Sequence, residues 1–92
     1  MSARVRERAG ETAGVVSVAA FPAFRDFFEE CYREHFTSLR AYLVRYTRDP
    51  EEAADLAQET FVRLWVSRSM PHPVMPWLRR VGYRLFVDRC RR

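Results

Sequence analysis

Apolar side chains recur at helical spacing from Phe21 onward, whereas the residues before it show no such stripe. A spacing of three and four residues places them on one face of an amphipathic helix, which we predict to run to about Thr47. The stripe consists of Phe24, Phe27, Phe28, Cys31, Tyr32, His35, Leu39, Tyr42, Leu43 and Tyr46. Because His35 and Cys31 lie within it, we expect both side chains to pack in the core. We predict a flexible tail over residues 1–20 and a helical domain over residues 21–92.

A second helix is predicted to begin at Asp49 and to end at about Ser67. Asp49 can cap the first free N–H groups, Pro50 suits the first helical position, and Glu52 completes a pattern resembling a capping box. Periodicity places Ala53, Ala54, Ala57, Phe61, Leu64 and Trp65 on one side, with Gln58 at its edge. It places Asp55, Leu56, Glu59, Val62, Arg63 and Val66 on the other. This second side interleaves acids with apolar side chains, so it is predicted to bind another protein.

Three prolines, Pro71, Pro73 and Pro76, predict an irregular loop over residues 67–76, followed by a third helix to the end of the chain. Its apolar seam is Trp77, Leu78, Val81 and Leu85. Its other side carries Arg79, Arg80, Tyr83, Arg84 and Arg91. Arginines can neutralise phosphates and a tyrosine can stack on an unpaired base, so this side suits nucleic acid. A solvated basic helix end explains the same residues equally well. The predicted fold is all-α, a compact bundle of three to four helices.

Charge sharpens this division between the second and third helices. The net charge is +4, and residues 49–60 hold five acids and no base, while residues 63–92 hold eight arginines and one acid, Asp88. This segregation predicts two partners, one of them polyanionic. All sixteen basic residues are arginine, so arginine usage by itself is weaker support for phosphate binding.

Several classes of protein are disfavoured by what the sequence lacks. It has neither a glycine-rich phosphate loop nor a Ser/His/Asp arrangement, so we expect no enzyme and no cofactor. Its two cysteines, Cys31 and Cys90, fit neither a disulfide scaffold nor a metal site, and they favour a cytoplasmic location. We also expect no membrane span.

Two segments, FEECYREHFTSLRAYLVRYTRDPEEAADLAQETFVRLW and PWLRRVGYRLFVDRCRR, resemble region 2 of bacterial sigma factors of the extracytoplasmic-function type. The likeness covers about residues 24–92. In the central helix it is carried by Asp55, Leu56, Gln58, Glu59, Phe61 and Trp65. In the last helix it is carried by Trp77, Leu78, Val81, Asp88, Arg91 and Arg92.

The resemblance implies two binding functions. The central helix would bind the clamp helices of the largest subunit of core RNA polymerase, through Asp55, Leu56, Gln58, Glu59 and Val62. The loop and last helix would open the minus-ten promoter element and hold a flipped base of the single non-template strand. This second surface would use residues 67–76 with Arg79, Arg80, Tyr83, Arg84 and Arg91. Asp88 is expected to be structural and to pair with Arg84 or Arg92.

The chain also departs from the family pattern. Arg84 replaces the usual asparagine, and Gly82 replaces an alanine at a cost of about 1 kcal/mol in helix propensity. A second domain that reads the minus-thirty-five element is missing, so we expect either an excised domain, which we favour, or a standalone relative. An alternative function is an interaction module held by an anti-sigma factor without productive promoter binding. An unrelated basic bundle with a helix-turn-helix is disfavoured by the three-proline loop.

Overall fold

The computed structural model describes residues 18–92, and three helices make up most of them. A single 3-10 turn at Val18–Ala20 leads into α1, Phe21–Thr47; α2 spans Pro50–Ser67 and α3 spans Val74–Cys90. Residues 18–92 contain no strand, so the predicted all-α bundle is confirmed. The predicted flexible tail falls largely on residues 1–17, which lie outside the described residues, and it stays a prediction.

The turn between α1 and α2 is built by local hydrogen bonds. Arg48 adopts the left-handed conformation with φ 59° and donates its N–H to the Val44 carbonyl, which ends α1. The Asp49 carboxylate accepts from the Glu51 N–H at 3.0 Å, as the predicted cap requires. The Asp49 N–H donates to the Thr47 hydroxyl at 3.1 Å, so the predicted capping-box role of Glu52 is wrong. Glu52 instead faces Arg89 of α3, at 3.7 Å.

The end of α2 is tied back to the start of α1 by Arg68. This residue also adopts the left-handed conformation, with φ 53°, which residues other than glycine rarely do. Its guanidinium carbon lies 4.6 Å from the centre of the Trp65 ring and 4.7 Å from that of Phe21, so cation–π contacts offset the backbone strain. Nη1 of Arg68 is buried without a hydrogen-bond partner in residues 18–92, since aromatic rings surround it.

The third helix starts earlier than the prolines predict. It begins at Val74, so Pro76 lies in its first turn, where the missing N–H would be unpaired in any case. The irregular loop therefore shrinks to residues 68–73. The prediction that residues 74–76 belong to the loop is wrong.

The core lies where the three helices meet, and it explains Gly82. The largest fully buried side chains are Phe24, Leu39, Leu43, Leu56, Leu64, Leu78 and Thr60. The buried Thr60 hydroxyl donates to the Leu56 carbonyl at 2.8 Å, which satisfies it within its own helix. A β-carbon at position 82 would lie 3.2 Å from Thr60 Oγ1 and 3.3 Å from Leu43 Cδ2. Glycine therefore allows α3 to approach α1 and α2 closely.

Candidate functional site

The outward ridge of α2 carries most of the residues predicted to bind a protein. Asp55 and Gln58 are exposed, and Val62 and Val66 expose 55% and 69% of their surface. Leu56 does not belong to this ridge. It is completely buried, so its predicted place on the outer side of α2 is wrong. Leu56 lies at the edge of the outer side, next to Glu52 and Glu59, which both face Arg89 of α3, so the packing of α3 covers it.

An apolar groove runs between α1 and α2 beside this ridge. It encloses about 360 Å³ and is lined by Phe28, Tyr32, Gln58, Phe61, Val62 and Trp65. The rings pack edge to face or tilted, with centroids 5.0 Å apart for Phe28 and Trp65 and for Tyr32 and Phe61. Gln58 and Val62, both predicted from the sequence, thus lie at the rim of a groove that the sequence did not show.

Glu59 lies on the side of the ridge away from the apolar groove, between two arginines. Its carboxylate is 3.4 Å from Arg63 of α2 and 3.5 Å from Arg89 of α3, which also reaches Glu52. All of these groups are partly exposed, so each pair contributes little to stability. A cationic partner that binds Glu59 has to compete with both arginines, whereas Asp55 forms no ion pair within residues 18–92.

A second cleft, rich in arginine, separates α2 from α3. It encloses about 470 Å³ and is lined by Arg63, Ser67, Trp77, Arg80, Val81, Arg84, Leu85 and Asp88. Two of the predicted DNA-binding residues, Arg80 and Arg84, therefore line the same concave site. Asp88 is exposed and forms no ion pair within residues 18–92, so the prediction that it pairs with Arg84 or Arg92 is wrong; the ion pairs of α3 are made by Arg89 instead.

The other predicted DNA-binding residues lie elsewhere on α3. Arg79 and Tyr83 face α1, where the Arg79 guanidinium lies 5.5 Å from the centre of the Tyr42 ring and Tyr83 contacts Tyr46 at 5.1 Å. Arg91 follows the end of α3 and is exposed. The five residues thus divide into a group facing α2, a group facing α1 and one at the terminus. The sequence placed Tyr42 and Tyr46 in the α1 stripe and Arg63 on the outer side of α2, but their contacts with α3 depend on which helix packs beside them.

Histidine and cysteine do not form a metal centre in the described part of the chain. Residues 18–92 contain no group of three or more side chains able to hold a metal ion. Cys31 is buried as predicted, and burial, aided by the Glu34 and Glu30 carboxylates, raises the pKa of its thiol to about 11. His35 is half-buried with its Nε2 3.9 Å from Glu34, and His72 is exposed. In the same range, no helix is long and apolar enough to cross a membrane.

Comparison with known proteins identifies the class of protein that this three-helix arrangement represents. Residues 31–92 match the family Sigma-70 region 2, and the chain belongs to that family. Its relatives include the RNA polymerase sigma factor YlaC of Bacillus subtilis, 34% identical over 71 residues, which are 74% of this chain and 41% of YlaC. The extracytoplasmic-function factor SigM of the same organism is 35% identical over 66 residues, 70% of this chain and 40% of SigM.

A third relative comes from a different genus. The extracytoplasmic-function factor SigE of Mycolicibacterium smegmatis is 33% identical over 76 residues, 80% of this chain and 28% of SigE. The resemblance drawn from the sequence motifs is therefore confirmed. The chain spans less than half the length of each of these relatives. No solved structure matches it significantly.

Proposed function

We propose that this chain acts in transcription initiation, binding core RNA polymerase through the outward ridge of α2 and promoter DNA through α3. The polymerase partner would be the clamp helices of its largest subunit, and the DNA would be the minus-ten element as a single non-template strand. Such a function belongs to the cytoplasm. One observation carries the proposal: α2 presents Asp55, Gln58 and Val62 to solvent beside an apolar groove, while the arginines of α3 lie on other surfaces.

The ridge has the composition of a protein interface. Val62 and the rim of the groove offer apolar area that a partner can bury, and Asp55 offers a carboxylate with no competing ion pair in residues 18–92. A basic helical partner would complement this surface in charge, which favours rapid association and correct orientation. Glu59 would contribute once Arg63 and Arg89 release it.

The arginines of α3 form a surface suited to binding a polyanion. Arg80 and Arg84 line a concave cleft together with Arg63, so their positive potentials add at one place. Trp77 and Ser67 in the same cleft provide an aromatic wall and a hydroxyl group. An unstacked base with its flanking phosphates could be held there by stacking and charge.

Charge reversal tests the polymerase half of the proposal. We expect Asp55→Arg to weaken binding to a purified clamp-helix fragment about tenfold or more, measured by titration calorimetry. Glu30→Arg is the matched control, because Glu30 is an exposed acid on α1 that lines a different surface, beside Cys31 and His72. Glu59→Arg should act similarly, although it also removes two intramolecular ion pairs and needs a parallel unfolding measurement. Unchanged affinity in both ridge variants would rule out this interface.

A titration with labelled single strands tests the DNA half. We expect tighter binding to a minus-ten-like strand than to a scrambled strand of the same composition, by fluorescence anisotropy at fixed salt. Weak binding that is salt-sensitive and has no sequence preference would contradict promoter recognition. That result would favour an interaction module whose main partner is a regulatory protein such as an anti-sigma factor.

A further inference from the structure

The loop over residues 68–73 joins the two helices that form the arginine-rich cleft. Ser67, the last residue of α2, lines that cleft, and α3 begins at Val74. The loop has no regular secondary structure. Its path, and with it the separation of the two walls of the cleft, therefore depends on the contacts that its side chains make.

Serine hydroxyl groups shape the start of this loop. The Ser67 hydroxyl donates to the Leu64 carbonyl at 2.8 Å and accepts from the Ser69 N–H at 3.1 Å. The two serine hydroxyl groups are also 2.8 Å apart, within hydrogen-bond distance. All of these bonds stay within residues 64–69, so they set the shape of the turn but do not attach it to α1.

Arg68 attaches the turn to α1. Its guanidinium carbon lies 4.7 Å from the centre of the Phe21 ring and 5.5 Å from that of Phe24, at the start of α1. The Trp65 ring of α2 lies at 4.6 Å. A planar guanidinium stacks on aromatic faces, which favours arginine over lysine here. Glycine would adopt the left-handed backbone at this position with less strain, but it would lose all three ring contacts.

The far end of the loop also rests on α1. His72 and Val74 line a groove together with Phe27 and Cys31, which lie in the first half of α1. Val74 exposes 7% of its surface, so this end is packed in the core. Both ends of the loop are therefore placed by the same part of α1, through Arg68 at one end and Val74 at the other.

Arg68 differs from the arginines of α3 in what its charge can reach. Its Nη1 is buried and has no hydrogen-bond partner within residues 18–92. Arg80 and Arg84, by contrast, are exposed and line the cleft. A phosphate in the cleft would therefore meet their guanidinium groups, while that of Arg68 stays among the rings.

We infer that Arg68 is a positioning residue, which fixes the end of α2 and the loop on the start of α1 and thereby sets the width of the arginine-rich cleft. This inference rests on the proposed DNA function, because that cleft is the proposed site of the unstacked base. A recognition site has to hold its groups within about 0.5 Å of the productive geometry. Arg68 thus supports discrimination between bases through its contacts with Phe21, Phe24 and Trp65, without contacting the strand.

The test uses the 92-residue chain with a minus-ten-like strand and a scrambled strand, titrated by fluorescence anisotropy over a salt series. We expect Arg68→Ala to lower the ratio of the two affinities about threefold or more, because it removes the cation–π contacts. The slope of log affinity against log salt should stay the same, whereas loss of a phosphate contact would reduce it by about 0.7. Arg33→Ala removes an exposed charge from α1 and should leave the ratio unchanged.

Two further variants separate position from charge and from stability. Phe21→Leu keeps the charge and an apolar side chain but removes a ring from the start of α1, so it should lower the ratio as Arg68→Ala does. Combined, the two changes should lose little more than either alone, since both break the same contact. Arg68→Gly relieves the left-handed strain, so it should unfold no earlier than Arg68→Ala on heating and still show the lower ratio.

Amide hydrogen exchange followed by NMR keeps the two proposals apart. Arg68→Gly and Phe21→Leu should both accelerate exchange over residues 65–70, at the end of α2, but not over residues 57–61 in its middle. Unchanged exchange and an unchanged ratio in these variants, or a salt slope that Arg68→Ala reduces as loss of a phosphate contact would, overturns the positioning function of Arg68. A lack of sequence preference in the unmodified chain overturns the proposed DNA function, and the exchange rates then still decide whether Arg68 holds the end of α2.

Discussion

The two clefts on either side of α2 differ in chemistry although they share that helix as a wall. The groove toward α1 is lined by Phe28, Tyr32, Phe61 and Trp65 with Gln58 at its rim, whereas the cleft toward α3 contains Arg63, Arg80 and Arg84. Apolar area in the first suits a protein partner, and concentrated positive charge in the second suits a polyanion. A single helix thus separates two surfaces of different chemistry.

This contrast depends on which residues of α2 face outward. We expect Leu56→Ala to lower the free energy of unfolding by about 2–5 kcal/mol, because the side chain is fully buried. The matched substitution Val62→Ala, at a side chain 55% exposed, should change it by less than about 0.5 kcal/mol. Chemical denaturation followed by circular dichroism measures both. Similar small losses in both variants would show that Leu56 is not buried and would contradict the packing of α3 against α2.

The contrast also depends on a fixed spacing between the helices, which Gly82 sets. Alanine at this position would gain about 1 kcal/mol in helix propensity. Its β-carbon would press on Thr60 Oγ1 and on Leu43, which are both fully buried and cannot yield freely. We therefore expect Gly82→Ala to be destabilising by about 1 kcal/mol net.

A double-mutant cycle assigns this cost to its cause. In the Thr60→Ala background the nearest atom is absent, so adding Gly82→Ala should cost less than it does alone. A rise in the unfolding midpoint on Gly82→Ala alone would show that the three helices can separate without penalty.

The arginine-rich cleft should respond to salt in a way that the apolar groove does not. If Arg84 contacts one phosphate, Arg84→Ala should reduce the slope of log affinity against log salt by about 0.7 for a single strand. Val62→Ala, at the rim of the groove, should leave that slope unchanged. Anisotropy titrations over a salt series provide the slopes. An equal reduction by Arg33→Ala, on the far part of α1, would indicate that only net charge matters.

The ion pairs of Arg89 are expected to have the smallest effect. Arg89→Ala removes contacts with Glu52 and Glu59, all of them partly exposed, so the loss of stability should be no more than about 1 kcal/mol at low salt. Because exposed pairs are screened, the loss should shrink as salt rises. A loss that is independent of salt would assign Arg89 to packing of its aliphatic stem instead.

The sequence predicts the helices well because their signals are local. Asp49 caps α2 with its own side chain, and Phe21 starts α1 where the apolar stripe begins. The predicted start of α3 was wrong because Pro76 was assigned to the loop, whereas a proline is compatible with both a loop and a first helical turn. Local pattern alone does not decide between them.

The surfaces were less predictable than the helices. Leu56 lies at the boundary of the two sides of α2, and its burial depends on where α3 packs. Asp88 and Arg89 are adjacent, yet only the second faces the acids of α2. Tyr46 belongs to the apolar stripe of α1 in the sequence, but in the bundle it is exposed and contacts Tyr83. Each case requires the relative rotation of two helices, which periodicity within one helix does not contain.

The close approach that Gly82 permits has a consequence at the surface of the protein. Tyr83 follows Gly82 directly, and Tyr46 lies one turn beyond Leu43, so the gap left by one absent methyl group also fixes the separation of the two exposed rings at 5.1 Å. The space available at Gly82 in the core and the distance between the Tyr46 and Tyr83 rings at the surface are therefore linked. A substitution at position 82 would therefore alter the separation of these exposed rings without changing either tyrosine.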